Sequence, residues 1–68
     1  MAIRISEAVM TLVMFEAQTK ALEAARAVAQ HELEKEGQLG AFDDVLAAHR
    51  ASVQYWNKQL RLAKRRGA

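Results

Sequence analysis

Glu34-Lys35-Glu36-Gly37-Gln38-Leu39-Gly40-Ala41-Phe42 is the stretch on which the fold turns. It holds two of the chain's three glycines, and no proline occurs anywhere. Gly37 suits the left-handed position that closes a helix, because it has no Cβ to clash there. Gly40 suits the N-cap of a following helix, with Asp43 and Asp44 in its first turn, where negative charge meets the positive end of the helix dipole. A break confined to residues 37–40 leaves the flanking helices as antiparallel neighbours.

Working upstream, residues 6–36 read as helix one, roughly 45 Å long at 1.5 Å per residue. Ser6 is placed to cap it and Glu7 falls in the first turn. Ile5 and Met10 take the two positions of a hydrophobic staple. Residues 1–5 form a short extended arm in which Ile3 and Ile5 alternate with Arg4. Downstream, residues 41–65 read as helix two and residues 66–68 as a basic tail. The expected fold is all-α: a single domain over 1–68, an antiparallel two-helix hairpin that assembles with other chains.

The need for other chains follows from size and pattern. Sixty-eight residues build a marginal core unaided. With no cysteine, neither a disulfide nor a thiolate-bound metal can reinforce it. Yet 51% of the residues are apolar, many of them alanine, which favours long helices and argues against a disordered segment. Placed at 100° steps, helix one shows one broad arc holding Met10, Val13, Met14, Phe15, Ala17, Ala21, Leu22, Ala24, Ala25, Val28, Ala29 and Leu33. Glu16, Lys20, Glu23, Gln30 and Glu34 lie opposite. The arc covers about 200°, twice the stripe of an ordinary surface helix, so partners are expected on two sides.

Helix two is narrower. Phe42, Leu46, His49, Val53, Trp56, Leu60 and Ala63 recur at alternating spacings of four and three, the seam of a coiled-coil-like pair. Tyr55 and Leu62 lie off it and suggest a second contact surface. Trp56 is the expected anchor, since burying it contributes about 3 kcal/mol. The expected interface residues are therefore Met10, Met14, Phe15, Leu22, Val28, Phe42, Leu46, Val53, Tyr55, Trp56 and Leu60.

Catalytic patterns are not found in the sequence. His31 and His49 lack metal-binding spacing; His31 falls on a polar helix end, and His49 on the seam reads as a core or interface histidine with one hydrogen-bond partner. Glu32, Glu34 and Glu36 spread around the helix rather than converging. Ser52 lies near His49, but a pair without an orienting acid makes no triad. There is no glycine-rich phosphate loop. No enzyme activity, metal or cofactor is expected. No secretory leader is evident, the longest apolar run (Leu12 to Phe15) is far too short to span a bilayer, and an intracellular protein without membrane contact is expected.

Charge is unevenly placed although the net value is only +2. Lys58, Arg61, Lys64, Arg65 and Arg66 gather at the end of helix two with no acid among them. They favour the helix C-terminus electrostatically, and are candidates for contact with DNA or an acidic partner.

These residues resemble a family. Phe42-Asp43-Asp44-Val45-Leu46-Ala47-Ala48-His49-Arg50, then Val53-Gln54-Tyr55-Trp56, Leu60-Arg61 and Lys64-Arg65-Arg66-Gly67 look like the last helix of small tailed-phage head–tail joining proteins of the lambda W type and their relatives. The Ile-containing arm and alanine-rich first helix with Phe15 are also similar. Members commonly carry a short β-hairpin between the helices, whereas Arg26 to Gln38 here reads as continued helix. The resemblance implies a non-catalytic virion component, assembled in the host cytoplasm. It would form a homo-oligomeric ring against the portal or a neighbouring neck protein, its basic tail near DNA or an acidic rim. The alternative is a small dimeric helical bundle that binds nucleic acid or regulates a larger partner.

Overall fold

The computed structural model describes residues 4–67. It contains two helices, α1 (Ile5–Lys35) and α2 (Leu39–Gly67), packed against each other as an antiparallel hairpin about 51 Å long and 16 by 13 Å across. The all-α hairpin expected from the glycine break is the fold observed.

The turn forms as its chemistry dictates. Gly37 adopts φ +70°, the left-handed region. The Gln38 N–H donates to the Leu33 carbonyl at 2.8 Å and the Gly37 N–H to the Glu34 carbonyl at 3.1 Å. This pair of bonds is the Schellman arrangement, which satisfies carbonyls that a helix end would otherwise leave open. Lys35 in the last turn of α1 faces the negative end of the dipole.

The helix boundaries differ from the sequence-based ones by a few residues, each for an identifiable reason. α1 begins at Ile5, one residue before Ser6, with Arg4 extended at φ −68° and ψ 143° in the cap position and no side chain bonded to the open amides. The Ala8 N–H bonds the Arg4 carbonyl at 3.0 Å, so the first turn closes on backbone alone. Ser6 is thus inside the helix, and Ile5 is no longer at the staple position. The rest of the expected arm, Met1 to Ile3, lies outside the described residues. α2 begins at Leu39, and its first turn closes through the Phe42 N–H and the Gln38 carbonyl at 3.0 Å. Gly40 is therefore helical rather than the N-cap, and the connection shrinks to Glu36, Gly37 and Gln38. At the far end α2 continues through the expected basic tail to Gly67.

The core is a thin seam. On α1 it follows Ala8, Leu12, Phe15, Thr19, Leu22, Arg26, Ala29 and Leu33, again alternating four and three. On α2 it is the expected row, extended by Leu39 at its start. Ala8, Leu12, Leu46 and Ala63 are buried, while no large side chain among the described residues is fully enclosed. Two helices touching along one line enclose little, because each seam side chain keeps one flank in solvent.

Candidate interaction surface

Two polar residues sit within the α1 seam and shape what surrounds it. Thr19 is 8% exposed and donates its hydroxyl to the Phe15 carbonyl at 2.7 Å. This local bond lets a hydroxyl be buried without a partner on α2. Arg26 lies at the edge of the seam and forks onto Asp43: Nε donates to Oδ1 at 2.6 Å and Nη2 to Oδ2 at 3.2 Å. The hydrogen bond to Arg26 holds the Asp43 carboxyl below its usual range, and the same bond raises Arg26 further. Arg26 also reaches Gln30, which donates to Glu34 at 3.0 Å. A second cross-helix pair joins Arg50 Nη2 to Glu23 Oε2 at 3.2 Å.

Thr19 and Arg26 interrupt the apolar repeat of the α1 seam, so periodicity alone favours the uninterrupted apolar row on the other side. The structure shows that α1 has two apolar sides. One is the seam. The other points directly away from α2 and carries Met10 (72% exposed), Val13 (57%), Met14 (47%) and Val28 (88%), with exposed Ala17, Ala21 and Ala24 between them. Leu12 and Ala8, which fell outside the arc, are core. The charged strip with Glu16, Lys20 and Glu23 is a flank, not the opposite pole.

The expected interface residues divide accordingly. Leu46 is 3% exposed within the hairpin's own seam. Phe15, Leu22, Phe42, Val53, Trp56 and Leu60 are half-buried along it. Met10, Met14, Val28 and Tyr55 are on free surface. Phe15 meets His49 edge-on, with ring centroids 6.0 Å apart, and Tyr55 meets Trp56 in the same way at 5.5 Å. Trp56 thus lies half-buried on the seam with Tyr55 against its ring, while Tyr55 itself stays 53% exposed.

The titratable groups are dispersed. His49 Nδ1 donates to the Val45 carbonyl at 2.9 Å, the single bond expected of a seam histidine. His31, Glu32, Glu34 and Glu36 are exposed on the end of α1. Ser52 spends its hydroxyl on the Ala48 carbonyl at 3.0 Å. Among the described residues no three His, Asp or Glu side chains converge. Lys58, Arg61, Lys64, Arg65 and Arg66 are all exposed, and Lys58, Arg61 and Arg65 border a shallow groove floored by Leu62. No helix among the described residues is long and apolar enough to cross a membrane.

The chain matches no family model, no curated protein and no solved structure.

Proposed function

We propose that this chain is a non-catalytic structural protein that works by packing α1's outer face against other chains, as a connector between the head and tail of a phage particle. One observation carries the packing claim: the row from Met10 to Val28 is apolar, uncharged and open, on a helix whose other side is already occupied. Such a row costs free energy in water, and covering it releases that cost in proportion to the apolar area removed. The connector role rests on the resemblance of α2 and the arm to head–tail joining proteins. A slender hairpin with apolar outer surface fits a part repeated many times around a portal, with the basic end of α2 turned toward DNA or an acidic rim.

The groove formed by Lys58, Arg61, Leu62 and Arg65 favours a second reading, in which copies of the hairpin bundle together and bind nucleic acid through α2's last turns. One experiment separates the two. Particles are purified from a host carrying the gene with and without this chain, and the chain itself is tested on duplex DNA and RNA across a salt series. The connector reading expects the chain in whole particles, and separate heads and tails when it is deleted. Normal particles after deletion would refute it. Tight, salt-dependent binding that disappears when Lys64, Arg65 and Arg66 are neutralised, with particles unaffected, would instead establish the second reading.

A further inference from the structure

We propose that α2 carries a contact site for the phosphate backbone of duplex nucleic acid, formed by one row of side chains, Gln54, Lys58, Arg61 and Arg65, with Asn57 on its border. This deepens the second reading of the function and rests on it: it fixes which side of α2 makes the contact and which form of nucleic acid is bound.

The five cations at the end of α2 are not equivalent. At 100° steps, Lys58, Arg61 and Arg65 fall within an arc of about 60°, and Gln54 one turn earlier continues the same line. Lys64 and Arg66 lie off it, about 90° away on one side and about 110° on the other. The row is roughly 17 Å long. All of its side chains are exposed.

Position along the hairpin decides which donors are free. Nearer the turn, guanidinium groups are spent on acids of the facing helix, Arg26 on Asp43 and Arg50 on Glu23. Glu16 and Glu23 also line the recess beside Arg50 and Gln54. Beyond Gln54 the surroundings change. α2 has no acid after Asp44. The recess bounded by Gln54, Asn57 and Arg61 adjoins the one bounded by Lys58, Arg61, Leu62 and Arg65, and no acid lines either. Among the described residues, none of the row's side chains is hydrogen-bonded within the chain.

A line of unpaired donors suits an acceptor that repeats along a line. The phosphates of a nucleic-acid strand repeat in this way, and lysine, arginine and amide side chains all donate to them. An acidic peptide fits less well, because protein partners gain most from apolar anchors. Leu62, the one apolar side chain among these cations, is already half-buried. A single strand also fits less well, because its bases bind by stacking on open aromatic rings. In α2, Tyr55 packs edge-on against Trp56 and lies about 90° from the row. The contact is therefore to phosphates, without preference for sequence. It leaves α1's outer face free to pack against a protein at the same time.

The test compares two double variants that lose the same charge: Lys58→Gln with Arg65→Gln in the row, and Lys64→Gln with Arg66→Gln off it. Binding is read by fluorescence anisotropy on a labelled DNA duplex, the RNA duplex of the same sequence and each single strand, across a salt series. Helicity is checked by circular dichroism. The wild-type chain is expected to bind a duplex more tightly than either single strand, its log affinity falling against log salt with a slope of about −2.7, the value for three phosphates. The row variant is expected to lose about tenfold or more in affinity and to bring the slope to about −1. The off-row variant is expected to keep the wild-type slope and to stay within about threefold of its affinity. Preference for either duplex supports the site, and the two duplex arms show which is taken. If the row variant loses helicity, Arg61→Gln is compared with Arg66→Gln instead. Equal losses in the paired variants, or tighter binding to single strands, would overturn the row while leaving nucleic-acid binding in place. Absence of binding to every nucleic acid at low salt would overturn the second reading with it, so the two failures are distinguishable.

Discussion

At the scale of single residues, Asp43 does more than solubilise the start of α2. Its fork with Arg26 ties the start of α2 to α1, and a shift of α1 along α2 by one turn would break it. The pair is partly exposed, so its contribution to stability is modest and screened by salt. Its pH dependence has a definite sign. The Asp43 carboxyl is held below its unfolded value, so the stabilisation is present at neutral pH and disappears as the pH falls through the lowered value. Asp43→Asn is expected to remove that dependence. Thermal unfolding followed from neutral pH to below about pH 4 should show the wild-type midpoint falling more steeply than the variant's. Parallel curves would mean that the fork contributes nothing in solution.

At the scale of the elements, two glycines in one short stretch have opposite roles. A Cβ added at Gly37 or Gly40 would meet no atom within 4 Å, so neither is glycine for want of space. Gly37 sits at φ +70°, where any L side chain is strained. Gly40 has helical backbone in the first turn of α2, where glycine only adds freedom to the unfolded chain. Gly37→Ala is therefore expected to destabilise the hairpin by about 1 kcal/mol. Gly40→Ala is expected to stabilise it by about 0.5 to 1 kcal/mol. Urea unfolding of the two variants checks both signs. Equal effects would show that the turn is not held by the left-handed residue.

The two helices also differ in how their apolar residues are spread. In α2 they concentrate on one side, while in α1 they occupy opposite sides and nearly cancel. A one-sided helix is satisfied by one neighbour. α1 is not, and its second apolar side, rather than any pocket, is the feature that points to function.

At the scale of the whole molecule, the hairpin's own core is too thin to account for all of its apolar content. No large side chain among the described residues is fully enclosed, and the seam is a single line of contact. If copies pack on one another as proposed, association adds stability that grows with their concentration. The unfolding midpoint is expected to rise steadily across a dilution series from dilute to concentrated protein. A midpoint independent of concentration would place all the stability within one copy.

What the sequence determined by itself was the fold and half of the core. Gly37 ends one helix because its backbone requirement is local, and the α2 seam is legible because all but one of its residues, His49, are apolar. The tertiary structure decided which side of α1 faces α2. Thr19 and Arg26 hide that seam from a pattern of apolar residues, since one satisfies its hydroxyl within its own helix and the other is held by Asp43, seventeen positions away along the chain. It also decided which apolar residues are left over. Met14 and Phe15 are adjacent in sequence and similar in character, yet Phe15 packs on His49 while Met14 is exposed. Periodicity assigns residues to faces, but the partner of a face depends on contacts between residues far apart in the chain, and those exist only once the hairpin has closed.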